Sequence, residues 1–330
     1  MNDDALNRLG RWPRLRLAAL PTRLVAARNL AATLGPGAPE LFVKMDAETG
    51  FALGGNKVRK LETVLGGDRL KGVTHLVTTG GPQSNHCRVT AGAAAHLGLG
   101  CVLVVNGAEP GAPRGNALLH RLFGADIRTV PDRAARATEM ERVAREIADH
   151  GGHALVLPLG ASTGLGALGY ALAALELDGQ LGAATEGGTT WVFVSASSCG
   201  TLAGLLLGFS VLGRGDVRLV GVSADVSADG MRAETARLAT EGAGLIGWDG
   251  PISTGSLSCD DGQVGEGYGI PTPATHEAIA LFGRTEGIVL DPVYTGKAAA
   301  GLLAWIRDGR VGAGDRAIFV HTGGHPALLA

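Results

Sequence analysis

Apolar runs rich in Val, Leu, Ile and Thr recur along the chain, bounded by glycine, proline or a charge. They are HLVTTG (75–80), CVLVVNG (101–107), DIRTVP (126–131), HALVLP (153–158), TTWVFVSAS (189–197), VRLVGVSAD (217–225), GIVLDPVY (287–294) and RAIFVHTGG (316–324). Continuous apolar runs, as opposed to alternating ones, describe strands covered on both faces. Most of the intervening segments are long enough for one crossover helix, so the pattern predicts an α/β chain with open, mostly parallel twisted sheets flanked by helices. The four strands between about 75 and 158 form one group and the later strands another. The clearest amphipathic segment, DRAARATEMERVAREIADHG (132–151), sets Ala, Met, Val and Ile on one face and charges on the other; it reads as a helix with a purely structural role.

Composition narrows the partners. Lys plus Arg number 29 against 31 Asp plus Glu, so there is no basic field for nucleic acid, and a small molecule is the expected ligand. The opening MNDDALNRLGRWPRLRLAALP is not signal-peptide-like, and the longest apolar run, LAGLLLGFSVLG (202–213), falls short of the roughly 20 residues that span a bilayer. A cytoplasmic protein is the expectation, with no membrane partner. Cys87, Cys101, Cys199 and Cys259 lack metal-type spacing, so free thiols and no metal are expected.

Candidate chemistry collects in loops at strand ends, where open α/β sheets bind ligands. In GGNKVRKLE (54–62), a helix would put Lys57 and Lys60 on one face about 5 to 6 Å apart at Cβ, a repulsive pair unless an anion or a covalent role holds it. A solvated helix end would look the same. TTGGPQSNHCR (78–88) brings Gln83, Ser84, Asn85 and His86 to a helix start; Ser84 suits an N-cap, and the donors together suit a carboxylate. In VSASSCGTLAG (194–204), the backbone N–H groups of Ser198, Cys199, Gly200 and Thr201 would converge at a helix N-terminus, an arrangement that binds phosphate without any P-loop motif. GEGYG (265–269), DPVYTGK (291–297) and HTGGHP (321–326) add Tyr268 and Tyr294, two of the three tyrosines. GLGALG (164–169) fits a dinucleotide fingerprint, but the following strand ends without the acidic residue that would take the ribose hydroxyls. A nicotinamide-dependent oxidoreductase is thus the reading from another class.

Taken together and in this order, GGNKVRKLE, GGPQSNH, RGNALLHRLFGAD (114–126), GYGIP (267–271), RTEGIVLDPVYTGK (284–297) and HTGGHPAL resemble the 1-aminocyclopropane-1-carboxylate deaminase and D-cysteine desulfhydrase family of pyridoxal-phosphate enzymes, fold type II. The resemblance runs from about Leu41 to the end. It implies pyridoxal 5'-phosphate as cofactor, a homodimer, and a large domain (1–62 and 164–330) into which a small one (63–163) is inserted. It makes Lys57 the Schiff-base lysine, with Lys60 and the loop Ser198, Cys199, Gly200 and Thr201 at the phosphate. Ser84 and Asn85 fall at the substrate carboxylate and the cofactor's O3′, Tyr294 stacks on the pyridine, and Tyr268 lies near the substrate. Burial and a cationic neighbour would both lower the Lys57 pKa and free its amine.

Within the resemblance, members that open the cyclopropane ring carry Gln, Glu and Leu where this chain has His86, Thr295 and Thr322. A carboxylate at the pyridine nitrogen makes a deep electron sink; a hydroxyl makes a shallower one, enough for expelling a good leaving group. The expected reaction is α,β-elimination of D-cysteine, with Gln83, Ser84, Asn85, His86 and Thr295 contacting substrate and Thr322 the cofactor. The alternatives are deamination of the cyclopropane amino acid and elimination on cysteate or D-serine. KMDAE (44–48), Pro82 and Cys199 depart from the family pattern.

Overall fold

The computed structural model describes residues 3–107, 111–182 and 188–330. In chain order it contains α1 (Asp3–Gly10), β1 (Leu24–Ala26), α2 (Arg28–Leu34), β2 (Glu40–Lys44), α3 (Asn56–Val64), β3 (His75–Gly80), α4 (Asn85–Leu97), β4 (Gly100–Asn106), α5 (Gly115–Leu122), β5 (Asp126–Val130) and α6 (Ala135–Asp149). There follow β6 (Ala154–Val156), α7 (Gly164–Leu181), β7 (Thr190–Ala196), α8 (Gly200–Leu212), β8 (Val217–Ser223), α9 (Ala228–Ile246), β9 (Leu257–Asp260), α10 (Pro273–Glu286), α11 (Thr295–Arg307) and β10 (Arg316–Val320).

The strands form two sheets. One has four parallel strands in the order β5-β4-β3-β6; the other has six in the order β1-β2-β10-β7-β8-β9, parallel except where β1 pairs with β2. Side chains of a strand alternate between faces, and the cores follow that alternation. In β7, Val192 and Val194 join the layer of α7, α8 and α9, while Phe193 joins the layer of α10 and α11. In β3, Leu76 packs toward α3 and α4, and Val77 packs toward Val143 of α6. Helix α8 is apolar almost all round and is buried along almost its whole length, as such a helix must be.

Three differences from the sequence expectation have physical causes. The run 287–294 is a loop, because Asp291-Pro292 turns the chain and caps α11. The outer strand beside β8 is instead β9, whose register pairs Leu219 with Leu257. Strands β1 and β2 complete the other side of that sheet from the N-terminal segment. The GLGALG glycines serve helix packing: a Cβ on Gly166 would lie 2.0 Å from Ala161 O, and one on Gly169 2.2 Å from Arg59 O. Gly169 lets α7 press against α3, and Gly164 lets it press against Glu241 and Gly242 of α9.

Among the described residues no helix is long and apolar enough to cross a membrane. All four cysteines are free.

Candidate active site

Both sheets turn the carboxyl ends of their strands toward one cavity of about 610 Å³. Its lining comes from the loops after β3 (Ser84, Asn85, His86), β7 (Ser198 to Thr201), β8 (Asp225) and β10 (Thr322), from Lys57 on α3, and from Tyr268 and Tyr294. This is where the topology of open α/β sheets places ligands.

Lys57 is placed by the glycine pair before it. Gly54 and Gly55 have φ of 68° and 103°, in the left-handed region that favours glycine. A Cβ on Gly54 would sit 2.0 Å from Ala47 O, and one on Gly55 3.0 Å from Thr322 O. The Asn56 N–H then donates to Thr322 O at 2.9 Å, and the Arg88 guanidinium donates to Gly54 O at 2.9 Å. These contacts fix the start of α3 against the loop after β10, so the first turn delivers Lys57 into the cavity. Burial lowers its pKa to about 8, which leaves roughly a tenth of the amine unprotonated at pH 7, far more than an ordinary lysine has.

Lys60, one turn further, does not line the cavity. It is fully buried, and its Nζ donates to Ser162 Oγ at 2.6 Å; the Ser162 hydroxyl donates in turn to Ser198 Oγ at 2.7 Å. Burial, reinforced by the neighbouring Lys57 charge, holds its pKa well below the usual lysine range. Lys60 thus reaches the α8 loop from behind. Gly200 makes room for it, since a Cβ there would lie 2.5 Å from Lys60 Nζ. Cys199 adopts φ 58° at the start of α8, and the Asn56 side-chain amide donates to Thr201 Oγ1 at 2.9 Å.

Ser84 caps α4, its Oγ accepting from the Cys87 N–H at 3.2 Å, and it also faces the cavity. Asn85 Oδ1 accepts from the Asn116 side-chain amide at 2.9 Å. Gln83 points elsewhere: its Oε1 accepts from the Asn116 N–H at 2.8 Å, its amide donates to Arg114 O, and it does not line the cavity. His86 lines the cavity while 2% exposed. Because the Thr78 hydroxyl donates to Leu157 O, it accepts from His86 Nε2. Burial, reinforced by the charges of Lys57 and Lys60, holds the His86 pKa well below the usual imidazole range.

The two threonines part company. Thr322 lines the cavity, whereas Thr295 is fully buried; its hydroxyl donates to Asp291 Oδ1 at 2.6 Å and accepts from the Asp291 N–H at 2.8 Å. Asp291 also accepts from the N–H groups of Val293, Tyr294 and Thr295 at 2.9 Å. This turn holds Tyr294 at the cavity wall, where its hydroxyl hydrogen-bonds that of Tyr268 and the ring centroids lie 5.8 Å apart. A substrate contact by Thr295 itself is therefore not part of this geometry.

Several residues of the site escape a reading of the sequence. Ser162 lies 102 positions from Lys60. Arg133 and Arg136 line the cavity from the start of α6, together with Ala137 and Met140, so that helix is more than structural. Their one sequence signal is position, immediately beyond the carboxyl end of β5.

An amine of depressed pKa, a helix N-terminus with small residues and a buried lysine behind it, and a tyrosine wall suit a flat aldehyde that carries a phosphate. Residues 15–323 match the family described as pyridoxal-phosphate dependent enzyme. A D-cysteine desulfhydrase of Salmonella paratyphi B is 38% identical over 330 residues, 98% of each chain. A 1-aminocyclopropane-1-carboxylate deaminase of Burkholderia vietnamiensis is also 38% identical, over 98% of this chain and 97% of its own. The crystal structure of a homologue of the latter enzyme superposes with TM-score 0.89 and 34% identity, covering 100% of this chain and 97% of that one. A threonine deaminase of Solanum lycopersicum, 14% identical over 98% of this chain and 85% of its own, shares the fold with TM-score 0.67.

Proposed function

The chain belongs to the pyridoxal-phosphate dependent enzymes, of fold type II, and we propose that it catalyses α,β-elimination of D-cysteine to pyruvate, hydrogen sulfide and ammonia. Relatives of both names stand at the same identity, so overall similarity does not choose between elimination and ring-opening deamination. The observation that carries the choice is Thr322, a neutral hydroxyl on the cavity wall at a position where the ring-opening pattern carries leucine, with Thr295 in place of that pattern's glutamate. With Thr295 locked to Asp291, this wall offers the cofactor no carboxylate from either position.

The bound cofactor supplies an electron sink for the pair left at Cα. Everything else falls to side chains. Lys57, its pKa near 8, takes the Cα proton as a base matched to neutral pH. The α4 N-terminus, with Ser84 and Asn85, holds the substrate carboxylate. The α8 N-terminus, with Ser198, Gly200 and Thr201, holds the cofactor phosphate, and Lys60 adds a charge through Ser162. Tyr294 walls the ring, and Tyr268 shields the outer side. The inserted small domain (63–163), the homodimer and a cytoplasmic location form part of the same proposal. The GLGALG glycines pack helices, which withdraws the nicotinamide reading.

The test is 2-oxo-acid release from the cofactor-loaded protein with D-cysteine, L-cysteine and 1-aminocyclopropane-1-carboxylate side by side. Pyruvate with sulfide from D-cysteine supports the proposal. 2-Oxobutyrate from the cyclopropane substrate overturns it and returns the chain to the deaminase reading.

A further inference from the structure

Among the described residues, those of helix α5 stand outside the cavity wall, yet the start of this helix is built against the loop that forms part of that wall. Gly115 has φ 51°, and a Cβ there would lie 2.6 Å from both Gln83 Oε1 and Pro326 O. Without one, the helix start closes on the loop. Gln83 Oε1 accepts from the Asn116 N–H at 2.8 Å, and the Gln83 amide donates to Arg114 O at 3.1 Å. One turn on, His120 Nε2 lies 3.3 Å from Ser84 O. A carbonyl oxygen only accepts, so Nε2 is the donor, as suits a ring whose pKa burial lowers to about 4. Asn116 and His120 stand four positions apart on one helix face, 0% and 2% exposed, and together grip residues 83–85.

That grip has a polarity. The Asn116 side-chain nitrogen lies 2.9 Å from Gln83 O and 2.9 Å from Asn85 Oδ1. Gln83 O is a backbone carbonyl, so the atom facing it is the amide nitrogen; turning the Asn116 amide over would set oxygen against oxygen. The nitrogen has two hydrogens, one for each acceptor, and the second requires Asn85 to present its oxygen. The Asn85 NH2 is thereby left at the other end of its own amide, on a residue that lines the cavity. Among the described residues no protein acceptor meets it.

Resting on the placement of Asn85 beside the cofactor, we infer that Asn116 is a positioning residue: by occupying Asn85 Oδ1 it commits the Asn85 amide to donate into the cavity, toward an ionised oxygen of the molecule bound there. That oxygen belongs to the cofactor ring or to the substrate carboxylate, and a donor serves either. An asparagine free to turn would present its own oxygen to the anion part of the time and repel it. One held at its far end needs no reorientation when the ligand arrives. The segment 114–116 then has a use at every position: Arg114 O and the Asn116 N–H fasten Gln83, Gly115 permits the close approach, and the Asn116 side chain sets the direction of Asn85. His120 adds a hold on the Ser84 carbonyl between them.

The experiment follows the visible absorption band of the bound cofactor against pH, without substrate, in the cofactor-loaded wild type, Asn85→Ala, Asn116→Leu, Asn116→Ala and Gln83→Ala. All four substitutions are neutral, so none adds a charge to the site. A donor on the ring oxygen favours the form with more negative charge there, so its loss moves the midpoint up, by about one pH unit in Asn85→Ala. Asn116→Leu, close in size but without a donor, should give about half that shift and weaken cofactor binding about fivefold in a fluorescence titration. Asn116→Ala should do the same and serves if the leucine variant does not fold. Gln83→Ala loosens the same contact between α5 and the loop without touching the amide pair, and should leave the midpoint in place. If the donor serves the substrate carboxylate, the midpoints stay put while KM rises severalfold in the Asn116 variants with kcat nearly kept, which also supports the inference. A response in Asn85→Ala, with neither midpoint nor KM moved by the Asn116 variants, overturns it and leaves Asn85 at the cofactor. Equal shifts in Gln83→Ala and the Asn116 variants also overturn it, making the α5 contact structural. No change in any variant removes Asn85 from its place beside the cofactor, and the inference with it.

Discussion

Helix α3 presents two opposite electrostatic designs within one turn. On one side, Arg59 donates to both oxygens of Asp46 at 2.9 and 3.0 Å and to both oxygens of Glu176 at 2.9 and 3.0 Å. Lys44 donates to Glu176, Gln180 and Thr22 O, and the Tyr170 hydroxyl closes the set on Asp46. Two cations meet two carboxylates, and every charge is answered by protein. Burial pushes the Asp46 carboxyl up, but the Arg59 guanidinium beside it holds it below the usual range. On the other side, among the described residues, Lys57 and Lys60 face no carboxylate, and burial drives both pKa values down. The comparison teaches how to tell a structural charge from a functional one in this molecule: the first has its counter-charge in the fold, whereas the second leaves its place to a ligand.

Substitutions two positions apart should therefore fail in different ways. Lys57→Ala should abolish turnover, by on the order of a thousandfold or more, while the melting temperature of the cofactor-free protein stays the same or rises. Arg59→Met should instead leave Asp46 and Glu176 short of a partner in a dry environment and lower stability by about 3 to 5 kcal/mol, read by urea denaturation. If Lys57→Ala unfolded the protein, or Arg59→Met cost nothing, the distinction between the two sides would collapse.

Lys60→Met sharpens the contrast on the ligand side. Among the described residues its one side-chain hydrogen-bond partner is the Ser162 hydroxyl, so the cofactor-free protein should lose little stability, whereas the cofactor should bind about 100-fold more weakly, an amount typical of removing a charged hydrogen-bond donor. Fluorescence titration with pyridoxal 5'-phosphate measures the second quantity. Unchanged affinity would detach Lys60 from the phosphate.

Thr295→Val probes a polar group with its counterpart built in, as Arg59 has. It removes a donor to Asp291 Oδ1 and an acceptor for the Asp291 N–H, and should cost about 1 to 3 kcal/mol of stability. Cofactor affinity should change less than for a substitution at Thr322, which faces the cavity.

Much of this was legible in the chain. The central strands announce themselves because parallel strands covered on both faces must be apolar throughout; β3, β4, β7, β8 and β10 are of this kind. The three-residue β1 and the half-buried β9 carry no such signal, since edge positions tolerate polar residues. The loops after β3 and β7 stood out because small polar residues at a strand end need a reason. Arg133 and Arg136 did not, because an amphipathic helix accounts for charges on its outer face equally well. Thr295 was misplaced for a related reason: its position beside Tyr294 is visible in the sequence, but the direction of its hydroxyl depends on the turn that Asp291 closes.

The pH dependence of stability is the most direct reading of the ligand-facing side. The folded protein lowers the Lys57 pKa to about 8 from 10.5, so between those values the unfolded chain holds a proton that the folded one has released. Stability of the cofactor-free protein then rises with pH across that window, by at most about 1.4 kcal/mol per pH unit from this group. The contribution is fully present above about 10.5 and is lost as pH falls through about 8. Denaturation of wild type and Lys57→Met in parallel isolates it: the variant's stability advantage should shrink as pH increases from 8 to 10. Arg59, held charged throughout by its carboxylates, should give no such trend when Arg59→Met is treated the same way. A constant gap between wild type and Lys57→Met would mean that the lysine amine is solvated as it would be on an open surface, and that the fold does not hold it ready for a ligand.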